Sequence, residues 1–164
     1  MTVPSRLLPL LEQFDFAYRR LADRMTGPLV DSGDGADTPV GPMTDDEYFW
    51  EPVPGCWSVR RRGLRADHTV GGRRLTRDDY RVGGDAATAT AAFGSGAEAW
   101  RKALLSADDT ALDTVGYCAY PHGGDPEEPF LDVVWWVNQE LLHHGAEIAL
   151  LRDLYQARAR TDAR

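Results

Sequence analysis

The run Phe130-Leu131-Asp132-Val133-Val134-Trp135-Trp136-Val137-Asn138-Gln139-Glu140-Leu141-Leu142-His143-His144-Gly145-Ala146-Glu147-Ile148-Ala149-Leu150-Leu151-Arg152-Asp153-Leu154-Tyr155 decides the fold. Within it Phe130, Val134, Val137, Leu141, His144, Ile148, Leu151 and Tyr155 recur at alternating steps of four and three. That spacing lines one face of an α-helix and no face of a strand. It predicts a bundle seam about seven turns long. Pro126 and Pro129 suit the first turn, where a missing N–H costs nothing, and Glu127 and Glu128 complement the positive end of the helix.

Working outward, the same periodicity recurs twice. Leu7, Leu11, Phe14, Tyr18, Leu21 and Met25 form a stripe that predicts a helix over about 5–25. Ala89, Phe93, Ala97, Trp100 and Leu104 form a second over about 85–105, weakened by Gly94 and Gly96. Thr44-Asp45-Asp46-Glu47 has the form of a capping box and predicts a short helix through Trp50, which Pro52 and Pro54 end. Residues 26–43 and 59–84, rich in Gly, Asp, Pro and Arg, read as irregular loops, as does 106–125. The tail 157–164 reads as frayed. No alternating strand pattern occurs, so the expected architecture is all-α, a single domain over 1–164.

The chain has 164 residues and a formal net charge of -8, with 26 acidic against 18 basic side chains. This length buries a sizeable core without disulfides or structural metals. The acidic balance argues against a nucleic-acid partner, which requires a concentrated basic footprint. No apolar run approaches the ~20 residues of a bilayer span, so no membrane role is expected. The N-terminal stretch, interrupted by Glu12, does not read as a signal peptide. With only two cysteines, Cys56 and Cys118, and no C-x-x-C spacing, a cytoplasmic setting is expected.

The chemistry-bearing side chains concentrate on the last helix. His144 lies on the apolar seam, Glu140 four residues before it and Glu147 three after, so the three share one side of the helix; His143 occupies the neighbouring stripe. A carboxylate and an imidazole at i and i+4 can reach one divalent ion from inside a bundle, and the donor types suit zinc, nickel, iron or manganese. The same pattern also describes a hydrogen-bonded core histidine with no ligand. Trp50, Trp57, Trp100, Trp135 and Trp136 read as core fillers, Arg60-Arg61-Arg62 as a solvated cluster, and His68 and His122 as solvent-exposed. Cys56 stands in a turn that could lower its thiol pKa or simply pack. The Walker loop, G-x-G-x-x-G after a strand, G-x-S-x-G and H-E-x-x-H are all absent from the sequence.

Two blocks carry a family resemblance. Asp45-Asp46-Glu47-Tyr48-Phe49-Trp50-Glu51-Pro52-Val53-Pro54-Gly55-Cys56-Trp57-Ser58-Val59-Arg60 resembles the W-x-P-x-x-x-x-W-S block of the DinB-like superfamily, with the closest likeness to a branch common in actinomycetes. Asn138 to Tyr155 resembles the last helix of that branch. The resemblance implies an up-down four-helix bundle holding a divalent metal on three side chains, one from the second helix and two from the last at i and i+4. It implies Glu140 and His144 as the last-helix ligands, with His143, Glu147 and His68 as further candidates. Relatives include mycothiol-dependent maleylpyruvate isomerase and bacillithiol transferases. The implied activity is therefore a transferase or isomerase that uses a divalent metal (Zn, Ni or Fe) and a low-molecular-weight thiol on a small-molecule substrate. The sequence departs from the family where the second helix should stand. Trp57-Ser58 is followed by Arg-rich chain and then by Leu64-Arg65-Ala66-Asp67-His68, so the helix and its histidine ligand are expected to be shortened or missing. The competing expectation is a non-catalytic helical module with a degraded metal site, acting through its groove or as a homodimer whose interface includes Trp135 or Trp136.

Overall fold

The computed structural model describes residues 3–27, 41–55, 58–60, 84–116 and 127–162. Its elements are α1 (Leu8–Thr26), α2 (Asp45–Phe49), α3 (Ala86–Ser106), α4 (Asp109–Leu112) and α5 (Phe130–Asp162). Among the described residues there is no strand, and the all-α class holds.

Each long helix forms where its apolar stripe runs. On α1 the stripe residues Leu11, Phe14, Leu21 and Met25 are buried, joined by Ala17 and by Leu7 just ahead of the helix. On α3 the stripe residues Ala97, Trp100 and Leu104 are buried in one core cluster, and Ala89 and Phe93 pack against the other. α5 runs alongside α1, which also packs on α3. One core cluster gathers Leu7, Leu11, Phe14, Ala97, Trp100, Leu104, Leu112 and Val134 at one end of the bundle. The second gathers Leu21, Met25, Met43, Tyr48, Val59, Ala86, Ile148 and Leu151 at the other. Leu141 touches both, so the stretch of α5 from Leu141 to Ile148 lies where the two clusters meet.

Capping sets several boundaries. Thr44 and Glu47 form the capping box: the Thr44 hydroxyl accepts from Glu47 N at 3.2 Å, and Glu47 Oε2 accepts from Thr44 N at 2.9 Å. Asp85 accepts from Thr88 N at 2.7 Å to start α3, and Asp45 of α2 accepts from Ala86 N at 2.8 Å, which ties the two elements together. Arg101 grips Asp15 with two bonds of 2.8 and 3.0 Å, linking α3 to α1.

Three expectations need correction. The tail is not frayed from 157: α5 continues to Asp162, because Ala and Arg are strong helix formers and Arg158 pairs with Asp162 one turn on, at 3.3 Å. The segment after Ser106 is not irregular throughout. Asp108 accepts from Ala111 N at 2.8 Å and nucleates α4, whose Leu112 is fully buried. Val59 and Arg60 are helical and Val59 is a core residue, so the chain after Ser58 does not begin as a loop. The expected absence of a long second helix otherwise falls on 61–83, outside the described residues, as does most of the 26–43 loop; Thr26 itself closes α1.

Candidate functional site

The periodicity of α5 turns one imidazole inward between two carboxylates. His144 is a buried residue on the seam, and its side chain is 11% exposed. Its Nδ1 lies 2.7 Å from Glu147 Oε2 and its Nε2 lies 3.0 Å from Glu140 Oε2. The side chains of Glu140 and Glu147 are about one third exposed, so the cluster opens from the seam toward solvent. The three residues that the sequence places on one side of the helix do meet.

The donor inventory of this cluster has a chemical consequence. Ionised carboxylates only accept, whereas a neutral imidazole carries one N–H and one lone pair. Without another cation, both contacts are satisfied together only by a ring bearing two protons. A neutral ring whose proton is held on Nδ1 by Glu147 turns a lone pair on Nε2 toward the Glu140 oxygen. A cation shared by Nε2 and that oxygen satisfies both acceptors. Metal–nitrogen and metal–oxygen bonds of about 2.0–2.2 Å put two neighbouring donors on one ion roughly 3.0–3.4 Å apart. The observed 3.0 Å between Nε2 and Oε2 is at the lower edge of that range and is equally the length of an N–H···O hydrogen bond. Glu147 Oε2, 2.7 Å from Nδ1, is placed to hold the orientation of the ring. The donor pair therefore fits two coordination positions of a divalent ion.

The other sequence candidates fall elsewhere. His143 is exposed, its ring centroid 6.5 Å from that of His144. His68, Cys56, Trp57 and His122 lie outside the described residues. Among the described residues, no group of three or more His, Cys, Asp and Glu side chains is arranged to hold a metal ion. Trp100 fills the core as expected, whereas Trp135 is 51% and Trp136 38% exposed, against the expectation that both fill it.

Sequence reasoning missed a second polar centre at one end of the bundle. Arg152, 1% exposed, meets Glu47 with bonds of 3.2 and 3.0 Å. The guanidinium also donates to the carbonyls of Gly41, at 2.9 Å, and Arg24, while Gln156 donates to Glu47 at 2.9 Å. Burial alone would raise the Glu47 carboxyl, but the Thr44 backbone N–H, the Arg152 guanidinium and the Gln156 amide outweigh it and hold it below its usual value. This centre clamps α2, the end of α1 and α5 together. In sequence, only the capping box pointed to Glu47. At the opposite end the fully buried Asn138 donates to Leu10 O at 2.7 Å and Gln13 Oε1 at 3.1 Å, pinning α1 to α5.

Fold and site together define an all-α bundle that carries a carboxylate–imidazole–carboxylate cluster on its last helix. A family model described as the DinB superfamily matches residues 59–148, more than half of the chain, and the chain belongs to that superfamily. The match runs from the first core residue after the W-S turn through the site on α5. No curated protein and no solved structure matches the chain. Among the described residues, no helix is long and apolar enough to cross a membrane.

Proposed function

We propose that this member of the DinB superfamily binds a divalent metal through Glu140 and His144, and that it uses the metal in a thiol-dependent transferase or isomerase reaction on a small electrophile. The observation that supports the reading is the pair of contacts on one imidazole: Glu147 on Nδ1 at 2.7 Å and Glu140 beside Nε2 at 3.0 Å. Glu147 is assigned the positioning role, holding the ring so that Nε2 faces Glu140. His68 is the candidate donor from the stretch that stands in place of the family's second helix. The mycothiol-type thiol comes from the resemblance to the actinomycete branch, as does the cytoplasmic setting. A divalent ion held here would supply Lewis acidity, lowering the pKa of a bound thiol toward neutrality. Zinc, nickel and iron all suit imidazole and carboxylate donors.

The test is a Zn(II) titration of the intact chain followed by calorimetry and by melting. Wild type should bind about one equivalent, and a hundredfold excess over Kd should add about 2.7 kcal/mol of stability. His144→Ala should abolish the binding, and Glu147→Gln should weaken it about 10- to 100-fold while leaving its stoichiometry unchanged. Equal binding by wild type and His144→Ala would remove the assignment. A flat titration would leave the helical module that works through association, a reading favoured by the apolar outer face of α5.

A further inference from the structure

α5 is apolar on both sides, which is unusual for a helix at the edge of a bundle. Away from its buried face, Asp132, Trp135, Gln139, Leu142, Ala146, Leu150, Ala157 and Arg160 are all exposed, while Asp153, also exposed, is ion-paired with Arg24 of α1. Leu142 is 38% and Leu150 58% exposed, and Leu154 at 44% flanks them.

This stripe is self-complementary about Ala146. Laid antiparallel on a second copy of itself, with Ala146 on the two-fold axis, Leu142 meets Leu150 of the other copy. Trp135 meets the small Ala157, and acidic Asp132 meets basic Arg160. Charges of opposite sign meet at both ends, two leucines meet near the axis, and the smallest residues of the stripe lie at the axis and opposite the indole. An isologous contact requires this kind of reciprocity. The contact length from 132 to 160 is about 42 Å at 1.5 Å per residue. With a contact strip about 15 Å wide, it buries roughly 600 Å² on each copy, at the lower limit of specific interfaces.

We infer that the outer face of α5 is the interface of a homodimer, formed by antiparallel pairing of α5 with its counterpart in a second copy of this chain. The ring of His144 is buried on the inner side of the helix, whereas Glu140 and Glu147, about one third exposed, lie beside the stripe. The interface size implies a dimer of modest affinity, with a Kd in the micromolar range.

Sedimentation velocity on the intact chain over a concentration series tests the inference. Wild type should move from monomer to twice the chain mass as concentration rises. Ala146→Glu puts two carboxylates face to face at the axis and should weaken the dimer by about a hundredfold, with the helical circular dichroism retained. Asp132→Arg should weaken it by about tenfold, and Asp132→Arg combined with Arg160→Asp should restore it. A wild-type monomer at every concentration would overturn the inference. A dimer insensitive to Ala146→Glu would also overturn it, because another face would then carry the contact. A double charge variant that stays as weak as the single one would overturn the antiparallel pairing.

Discussion

Glu47 and Arg152 meet inside the bundle although 105 positions separate them in sequence. Their bond is enclosed on every side: the capping-box bond from Thr44, the amide of Gln156 and two main-chain carbonyls use the remaining donors and acceptors. Removing one partner of a buried pair leaves the other charged and uncompensated. Glu47→Gln should therefore cost about 2–3 kcal/mol at pH 7 in denaturant unfolding. The carboxyl titrates below its usual value of 4.5 in the folded chain, so its contribution is fully present above that value and is lost as pH falls through the lower, folded one. The stability gap between wild type and Glu47→Gln should accordingly narrow progressively as pH falls below 4.5. A gap that stays constant from pH 7 to pH 3 would show that the carboxylate charge is not what holds α2 in place. The sequence made Glu47 visible as a capping residue, because a capping box is a local pattern. Its second role depends on a partner in another element, which no local pattern records. The cluster around His144 was legible for the converse reason: Glu140, His144 and Glu147 lie within two turns of one helix, and helical geometry alone brings them together.

At the scale of elements, α3 carries the propensity cost that the sequence announces. Gly96 stands in the interior of the helix, and a Cβ added there meets nothing within 4 Å. Gly96→Ala should raise stability by about 0.5–1 kcal/mol through helix propensity and reduced freedom of the unfolded chain. That corresponds to a rise in Tm of roughly 1–4 °C for a domain of this size. An unchanged or lowered Tm would mean that α3 owes its form to packing at Gly96 that the open space does not suggest. The long helices were readable because their apolar stripes run unbroken for several turns. α4 was not: its only local signal is Asp108 as a cap, and a helix as short as Asp109–Leu112 shows no periodicity. The last turns of α5 were missed for a related reason. With every residue from 157 to 162 exposed, no apolar stripe marks them, and propensity together with an ion pair sustains the helix.

At the scale of the molecule, the two core clusters meet along α5, and the candidate site lies at that junction. The all-α class could be read from periodicity, and the family from two separated blocks of sequence. The exposure of Trp135 and Trp136 was not legible: they stand beside seam positions, so the sequence offers them both as core and as interface, and only the packing of α5 shows that they are exposed. The central claim is that Glu140 and His144 bind a divalent metal. Elemental analysis of the tag-free chain, beside His144→Ala prepared in the same way, tests it most directly. Wild type should carry about one equivalent of a first-row transition metal and melt at a lower temperature after chelation, and His144→Ala should hold metal near background. Metal below about a tenth of an equivalent in both proteins, with melting indifferent to added divalent ions, would contradict it.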